Sequence, residues 1–269
     1  MRLTTIRNQM RQGEVRVNGE KAGKERAVFA GDEVKIFLPD KLEPAAQVPD
    51  IAYADENIAV VNKPVLCETE THLTALVRTL YPAAVPVHRL DRNTRGLVIF
   101  SLNEAAEKEL LRFFKERKIE KYYRARVLGA VEKPAQKITV YLKKDPQTRK
   151  VLVSDTPKKG YLTAQLSYTV IGREGGDTWV DICLHTGRTH QIRATMAHLC
   201  HPVIGDGKYG SEAANRARDA KFQQLVAYKI CFSKELCGSD PLGYLAGFEI
   251  ALPERGKNYP PRLKGEVQQ

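Results

Sequence analysis

Three polar clusters interrupt otherwise apolar stretches of the chain, and each holds side chains able to do chemistry. In Val87-His88-Arg89-Leu90-Asp91-Arg92-Asn93-Thr94-Arg95-Gly96-Leu97 one acid stands among three arginines, just ahead of an apolar run. Nearby cations favour an ionised carboxylate; the plain alternative is a surface turn with solvated charges. In Leu184-His185-Thr186-Gly187-Arg188-Thr189-His190-Gln191-Ile192-Arg193 a strand enters a helix through Gly187. Arg188, His190 and Arg193 then fall in or near the first helical turn, where the helix dipole prefers anions. That conflict is better tolerated where a carboxylate or phosphate sits close by; a capped helix start with one buried histidine is the alternative. In Lys121-Tyr122-Tyr123-Arg124-Ala125 strand alternation sends the two tyrosines to opposite faces, one into the core and one toward a surface or cleft.

Other constellations are weaker. His198, Cys200 and His201, with His185 and His190 upstream, raise zinc, but their spacing matches neither a finger nor a HExxH helix, so no metal is expected. Gly205-Asp206-Gly207-Lys208-Tyr209-Gly210 lacks the spacing of a phosphate loop, and no Gly-x-Ser-x-Gly elbow appears. A nucleotide cofactor is not expected. The five cysteines, Cys67, Cys183, Cys200, Cys231 and Cys237, are scattered, odd in number and form no CxxC pair, which fits free thiols in a reducing compartment.

The elements that must position these clusters are legible as periodicities. Residues 1–38 read as a compact unit: a short helix over Leu3 to Met10, a strand at Val15 and Val17, a hairpin turn at Asn18-Gly19 and a further strand over Gly31 to Leu38. Residues 39–50 form a proline-punctuated linker. Residues 51–253 read as one larger α+β domain, followed by a tail over 254–269. Its strands are Ile58 to Lys63, Gly96 to Phe100, Tyr122 to Leu128, Ile138 to Leu142, Lys150 to Val153, Leu162 to Ile171 and Trp179 to Leu184. Its helices are Thr71 to Leu80, one capped by Asn103 and running through Arg117 with Leu110, Leu111 and Phe114 on its apolar side, and Thr189 to Cys200. Strands outnumber helices without alternating with them, which predicts a mixed, largely antiparallel sheet.

With 269 residues, 42% hydrophobic and 28% charged, the chain can bury a sizeable core. No run approaches the roughly 20 apolar residues of a membrane helix, and the N-terminus lacks a signal-peptide pattern; a soluble cytoplasmic protein is expected. The net charge of +11 favours a polyanionic partner.

Taken together, the clusters resemble one family. His88-Arg89-Leu90-Asp91-x-x-Thr94-x-Gly96-Leu97 resembles the signature of the RluA-type pseudouridine synthases, and Gly187-Arg188-Thr189-His190-Gln191-Ile192-Arg193 is similar to that family's later basic motif. Val60-Val61-Asn62-Lys63-Pro64, Lys121-x-Tyr123-x-Ala125 and His201-Pro202-Val203-Ile204-Gly205-Asp206 through Tyr209-Gly210 resemble its remaining segments, in the family's order. Residues 1–38 resemble a shortened S4-type RNA-binding module. The signature usually carries Ser or Thr where this chain has Arg95. The resemblance implies the pseudouridine synthase fold and isomerisation of uridine in structured RNA, ribosomal or transfer, by a monomer without metal or cofactor. Asp91, Tyr123 and Arg193 are then catalytic, Arg193 pairing with Asp91 and Tyr123 packing on the uracil. Arg89, His88, Arg95, Arg188, His190 and Gln191 contact the RNA, with Arg89 filling the gap left by the flipped base. A non-catalytic RNA-binding or ribosome-assembly protein on the same fold is the other reading. Loss of Asp91 would have favoured it.

Overall fold

The computed structural model describes residues 15–22, 27–36, 48–148, 150–236 and 241–253. The chain divides into two compact units, 1–47 and 48–269. In the first, β1 (Val15–Val17) pairs antiparallel with β2 (Glu20–Lys21) on one side and β3 (Val34–Ile36) on the other. The β1–β2 turn has φ 52° at Asn18 and 85° at Gly19. Two positive φ values mark the hairpin turn whose twist suits the strands, which is why Asn-Gly serves here. Val15, Val17 and Ala22 form the small buried cluster of this sheet. The helix expected at Leu3 to Met10, most of the linker and the tail over 254–269 lie outside the described residues.

The second unit is built on an eleven-stranded sheet. Along the chain come β4 (Ile51–Ala54), β5 (Ile58–Lys63), β6 (Val85–Pro86), β7 (Arg95–Ser101), β8 (Ile119–Val127), β9 (Ala135–Lys144), β10 (Val151–Ser154), β11 (Leu162–Glu174), β12 (Asp177–Leu184), β13 (Leu225–Phe232) and β14 (Glu249–Ala251). The spatial order is β10-β9-β11-β12-β8-β13-β7-β5-β4, with β14 on β13 and β6 on β7. Among the described residues β7–β13 is the parallel pair and the other pairings are antiparallel, the mixed sheet the sequence predicts. β7 and β13 meet at Gly96, which has φ +118° and would place a Cβ 2.2 Å from the Ala227 carbonyl oxygen. Only glycine permits that approach.

Strands β5 and β7 are buried on both faces, hence their unbroken apolar runs. Ile58, Val60, Leu97 and Ile99 face one cluster; Ala59, Val61, Val98 and Phe100 face the other. The first cluster is covered by α2 (Glu104–Lys115), whose N-cap Asn103 accepts from the Ala106 N–H. The helix buries Ala106, Leu110 and Phe113, not the expected Leu111, which is 49% exposed. Positions 106, 110 and 113 follow the i, i+4, i+7 stripe, so Phe113 takes the core position and contributes about 2 kcal/mol by burial. On the other face lie Leu90, Tyr123 and Ile192, and there the polar clusters converge.

Two helices differ from expectation. The Thr71 to Leu80 segment is a π-helical turn, Thr69–Leu73, followed by the single α-turn α1 (Thr74–Val77). The later helix, α3 (Gln191–His198), starts after His190, which takes a left-handed conformation with φ 51° and ψ 23°. Arg188 and His190 therefore precede the helix, and Arg193 alone of the three cations belongs to it. At its far end Cys200 is left-handed (φ 66°), its N–H bonds the Ala197 carbonyl and the His201 N–H bonds the Met196 carbonyl. That is a Schellman closure, in which Cys200 takes the left-handed position. Among the described residues no helix is long and apolar enough to cross a membrane.

Candidate active site

Asp91 sits in the loop entering β7. Three contacts hold that loop. Lys63, at the end of β5 and 0% exposed, donates from Nζ to the carbonyls of Pro64 (3.0 Å), Cys67 (2.8 Å) and Arg92 (3.2 Å). Burial brings its pKa down to about 8, against the charges of Cys67 and Asp91, which work to raise it. Thr69 grips Leu90 from both sides, its hydroxyl lying 3.3 Å from the Leu90 carbonyl oxygen and 3.2 Å from its nitrogen. Thr94 accepts from Gln223 and its N–H bonds the Asp91 carbonyl.

Arg193, two residues into α3, reaches the loop across about a hundred positions of sequence. Its Nη1 donates to Asp91 Oδ2 at 2.7 Å. Its Nε and Nη2 donate to Asp206 Oδ2 and Oδ1 at 2.7 and 2.9 Å. Asp206 also accepts from the N–H groups of Lys208 (2.8 Å) and Tyr209 (3.1 Å). Burial would raise the Asp206 pKa, but Arg193 and these amides outweigh it and hold the carboxyl below its ordinary range. Burial likewise opposes the charge on Arg193, and its two carboxylates more than offset that, so its pKa rises. Among the described residues the Asp91 Oδ1 has no hydrogen-bond partner.

Opposite Asp91 stands Tyr123, 6% exposed, on the cleft side of β8. Burial, and then the Asp91 charge, raise its pKa, so it is a neutral phenol. Tyr122 points to the other face, donating to Glu120 at 2.8 Å. His190 bonds the Tyr209 hydroxyl through Nδ1 (2.8 Å), and its Nε2 lies 3.9 Å from Asp91 Oδ2. Its pKa is lowered, by burial first, with Arg193 and Lys208 adding to it against the carboxylates. A neutral His190 that accepts from Tyr209 carries its proton on Nε2, toward Asp91. The cleft so formed encloses about 260 Å³.

The remaining expected site residues divide. Arg89 lines the cleft, its guanidinium exposed and paired with Glu70 at 2.7 Å. Arg188 lines the mouth, with Nε on the Thr163 carbonyl (3.1 Å), and among the described residues makes no pair with Asp91. His88 borders the cleft, yet its imidazole is committed to the loop: Nε2 accepts from the Ile99 N–H at 3.0 Å and the ring packs on Phe114. Burial, aided by Lys121, brings the His88 pKa to about 3. Gln191 borders the cleft but is 3% exposed: its Oε1 accepts from the Thr186 hydroxyl and the Arg188 N–H, and its amide donates to the Gln165 carbonyl, so it braces the turn into α3. Arg95 starts β7 facing a separate hollow with Asp50, Asn62 and Leu252, away from Asp91. Among the described residues no three His, Cys, Asp or Glu side chains are placed to share a metal; His198 bonds Asp155 and His201 bonds the Leu128 carbonyl.

Asp206 is the main residue the sequence did not assign. Its signal is Gly205, which has φ +79° and would place a Cβ 1.9 Å from the Phe222 carbonyl oxygen. Glycine is therefore required where the loop turns Asp206 inward.

An acid and an arginine are thus paired across a cleft, faced by a buried tyrosine on a mixed sheet. Residues 57–198 match the model of the RNA pseudouridylate synthase family, and the chain belongs to that family, in its RluA type. It is an isomerase that converts uridine to pseudouridine in RNA. Among its relatives, the dual-specificity RNA pseudouridine synthase RluA of Yersinia pestis is 36% identical, the alignment covering 68% of this chain and 91% of that one. An uncharacterized RNA pseudouridine synthase of Aquifex aeolicus is 32% identical over 94% of this chain and 86% of its own. The ribosomal large subunit pseudouridine synthase D of Pasteurella multocida is 29% identical over 87% and 79%. In fold the chain is similar to human RNA pseudouridylate synthase domain containing 1, with a TM-score of 0.66 at 24% identity, covering 79% of this chain and 86% of that one.

Proposed function

We propose that the protein isomerises a uridine of large-subunit ribosomal RNA, with Asp91 as the catalytic carboxylate. The observation that carries this reading is the division of labour at Asp91: one oxygen is held by Arg193 and the other has no partner among the described residues, in a cleft opposite Tyr123. The substrate class draws on the relative from Pasteurella multocida, whose name specifies the ribosomal large subunit.

In this scheme the target nucleotide leaves its stack and enters the cleft. Arg89, exposed at the rim, leaves Glu70 and occupies the vacated position. Asp91 acts on the ribose, by attack at C1′ or by taking the C2′ proton, with Arg193 holding its other oxygen in place. The C1′–N1 bond breaks, the uracil turns against the Tyr123 ring, and C1′ bonds to C5 as the Asp91–C1′ bond breaks or as C2′ takes its proton back from Asp91. The proton on C5 leaves, N1 gains one, and no electron is exchanged with a cofactor. Tyr123 takes part in the proton transfer at C5. The three-stranded unit within residues 1–38 serves as a small S4-like RNA-binding module, and the protein works as a monomer in the cytoplasm.

Pseudouridine mapping in total RNA from cells with and without this protein tests the substrate. One or a few large-subunit ribosomal positions should revert to uridine. Reversion confined to transfer RNA would overturn the ribosomal assignment.

A further inference from the structure

Lys121 belongs to the tyrosine motif but has no part in the scheme above. It precedes Tyr123 by two residues on β8, so both leave the same face of the strand. Its side chain lines the cleft with Asp91, and its ammonium lies 4.9 Å from the centroid of the Phe114 ring.

The other cations of the cleft are engaged with protein oxygens. Arg193 holds two carboxylates, Arg89 holds Glu70, and Arg188 holds the Thr163 carbonyl. Lys121 differs: among the described residues its ammonium has neither a carboxylate partner nor a hydrogen-bond acceptor. The ring of Phe114 attracts a cation but accepts none of its N–H groups in the ordinary sense. Withdrawing an ammonium from water without a partner is unfavourable, and burial lowers the Lys121 pKa accordingly. Nearby, Gly187 is bare. A Cβ there would lie 3.7 Å from Lys121 Nζ, an ordinary contact, and Gly187 lacks the left-handed φ that would demand glycine. Glycine at 187 therefore leaves no side-chain atom between this point of the cleft wall and the ammonium.

We propose that Lys121 binds a phosphodiester of the RNA strand beside the target uridine, as a substrate-positioning residue for the isomerisation. This rests on the reading that the cleft receives the flipped uridine. Two residues along a strand span about 7 Å, which sets Lys121 beyond a base seated on Tyr123 and toward the backbone. The ammonium is a compact point charge of the kind that pairs with phosphate, and three free N–H donors suit its oxygens.

Binding is measured in the Asp91→Asn background with a short hairpin RNA carrying the target uridine, over a range of salt concentrations. Lys121→Met keeps the stem on Phe114 and removes the charge; Lys121→Arg restores the charge. The slope of log Kd against log salt should fall by about 0.7 to 0.9 in Lys121→Met, the share of one phosphate, and return in Lys121→Arg. A methylphosphonate at the phosphodiester flanking the target should weaken binding to the lysine-bearing protein and cost Lys121→Met nothing further. An unchanged salt slope, with or without a lower Tm, would overturn the proposal and leave Lys121 as packing on Phe114. Turnover by the Asp91→Asn protein would sink the reading of the site independently, because the salt slope is read on binding alone.

Discussion

Asp206→Asn isolates the carboxylate behind the catalytic pair. The side chain is 0% exposed and meets Arg193 through two bonds of 2.7 and 2.9 Å. Asparagine keeps the shape and one carbonyl oxygen for the Lys208 and Tyr209 N–H groups. It removes the charge, and its amide nitrogen confronts a guanidinium that has no acceptor to offer. Breaking a buried ion pair on one side costs about 3–5 kcal/mol, because a charge is left uncompensated. Arg193 keeps Asp91, so the low end applies, about 3 kcal/mol. In a unit of roughly 200 residues that lowers Tm by about 6–12 °C. The guanidinium then turns toward its remaining partner, and displacements of about 1 Å at a reacting group cost on the order of 100-fold; turnover should fall about 10- to 100-fold. The sign with pH follows from the depressed Asp206 pKa. Its contribution is present above the ordinary carboxylate range and is lost as pH falls through its folded value, so the gap between the two proteins closes in acid. Thermal unfolding and single-turnover pseudouridine formation read both effects. An Asp206→Asn protein with wild-type Tm and wild-type turnover would show that Arg193 is not set by Asp206.

Three further outcomes are expected. Tyr123→Phe keeps the ring and removes the phenolic proton, so single-turnover rates should fall by about 100-fold or more with RNA affinity kept; an unchanged rate would confine Tyr123 to packing. His88 titrates near 3 in the fold against an ordinary 6.5. Between those values the unfolded chain binds a proton that the native protein refuses, so stability falls with falling pH by up to about 1.4 kcal/mol per unit. Relative to His88→Gln the wild-type advantage should shrink over that window, and a constant difference in chemical denaturation would refute the neutral assignment. Deleting residues 1–38 should weaken binding to a long RNA and flatten its salt dependence; an identical salt slope would exclude an RNA-binding role for that unit.

What the sequence discloses depends on the range of the interaction. Period-two alternation sets Tyr122 and Tyr123 on opposite faces without choosing between them, and the apolar runs of β5 and β7 mark them as doubly covered. Asn103 shows where α2 begins. The phase of that helix is harder, since Leu111 and Phe113 are both apolar and packing decides which is buried. The start of α3 is displaced because a left-handed histidine leaves no compositional trace. Polarity alone does not show that the Gln191 amide ties Thr186, Arg188 and Gln165 together inside the protein. Adjacency to Asp91 groups Arg95 with the cleft, whereas β7 carries it elsewhere. Asp206 lies in a loop that reads as polar and glycine-rich; its meaning comes from a guanidinium thirteen positions away that only the folded chain brings to it. Lys63 belongs to a motif, but nothing local announces that its ammonium closes three carbonyls under the catalytic loop.

The most direct test of the account is pseudouridine formation by purified Asp91→Asn protein on an RNA carrying the target uridine, with deamidation excluded by mass and binding followed in parallel. Without the carboxylate the ribose meets no nucleophile and no base, so no pseudouridine should form at any time point while RNA affinity persists. Measurable product from that protein would contradict the central assignment.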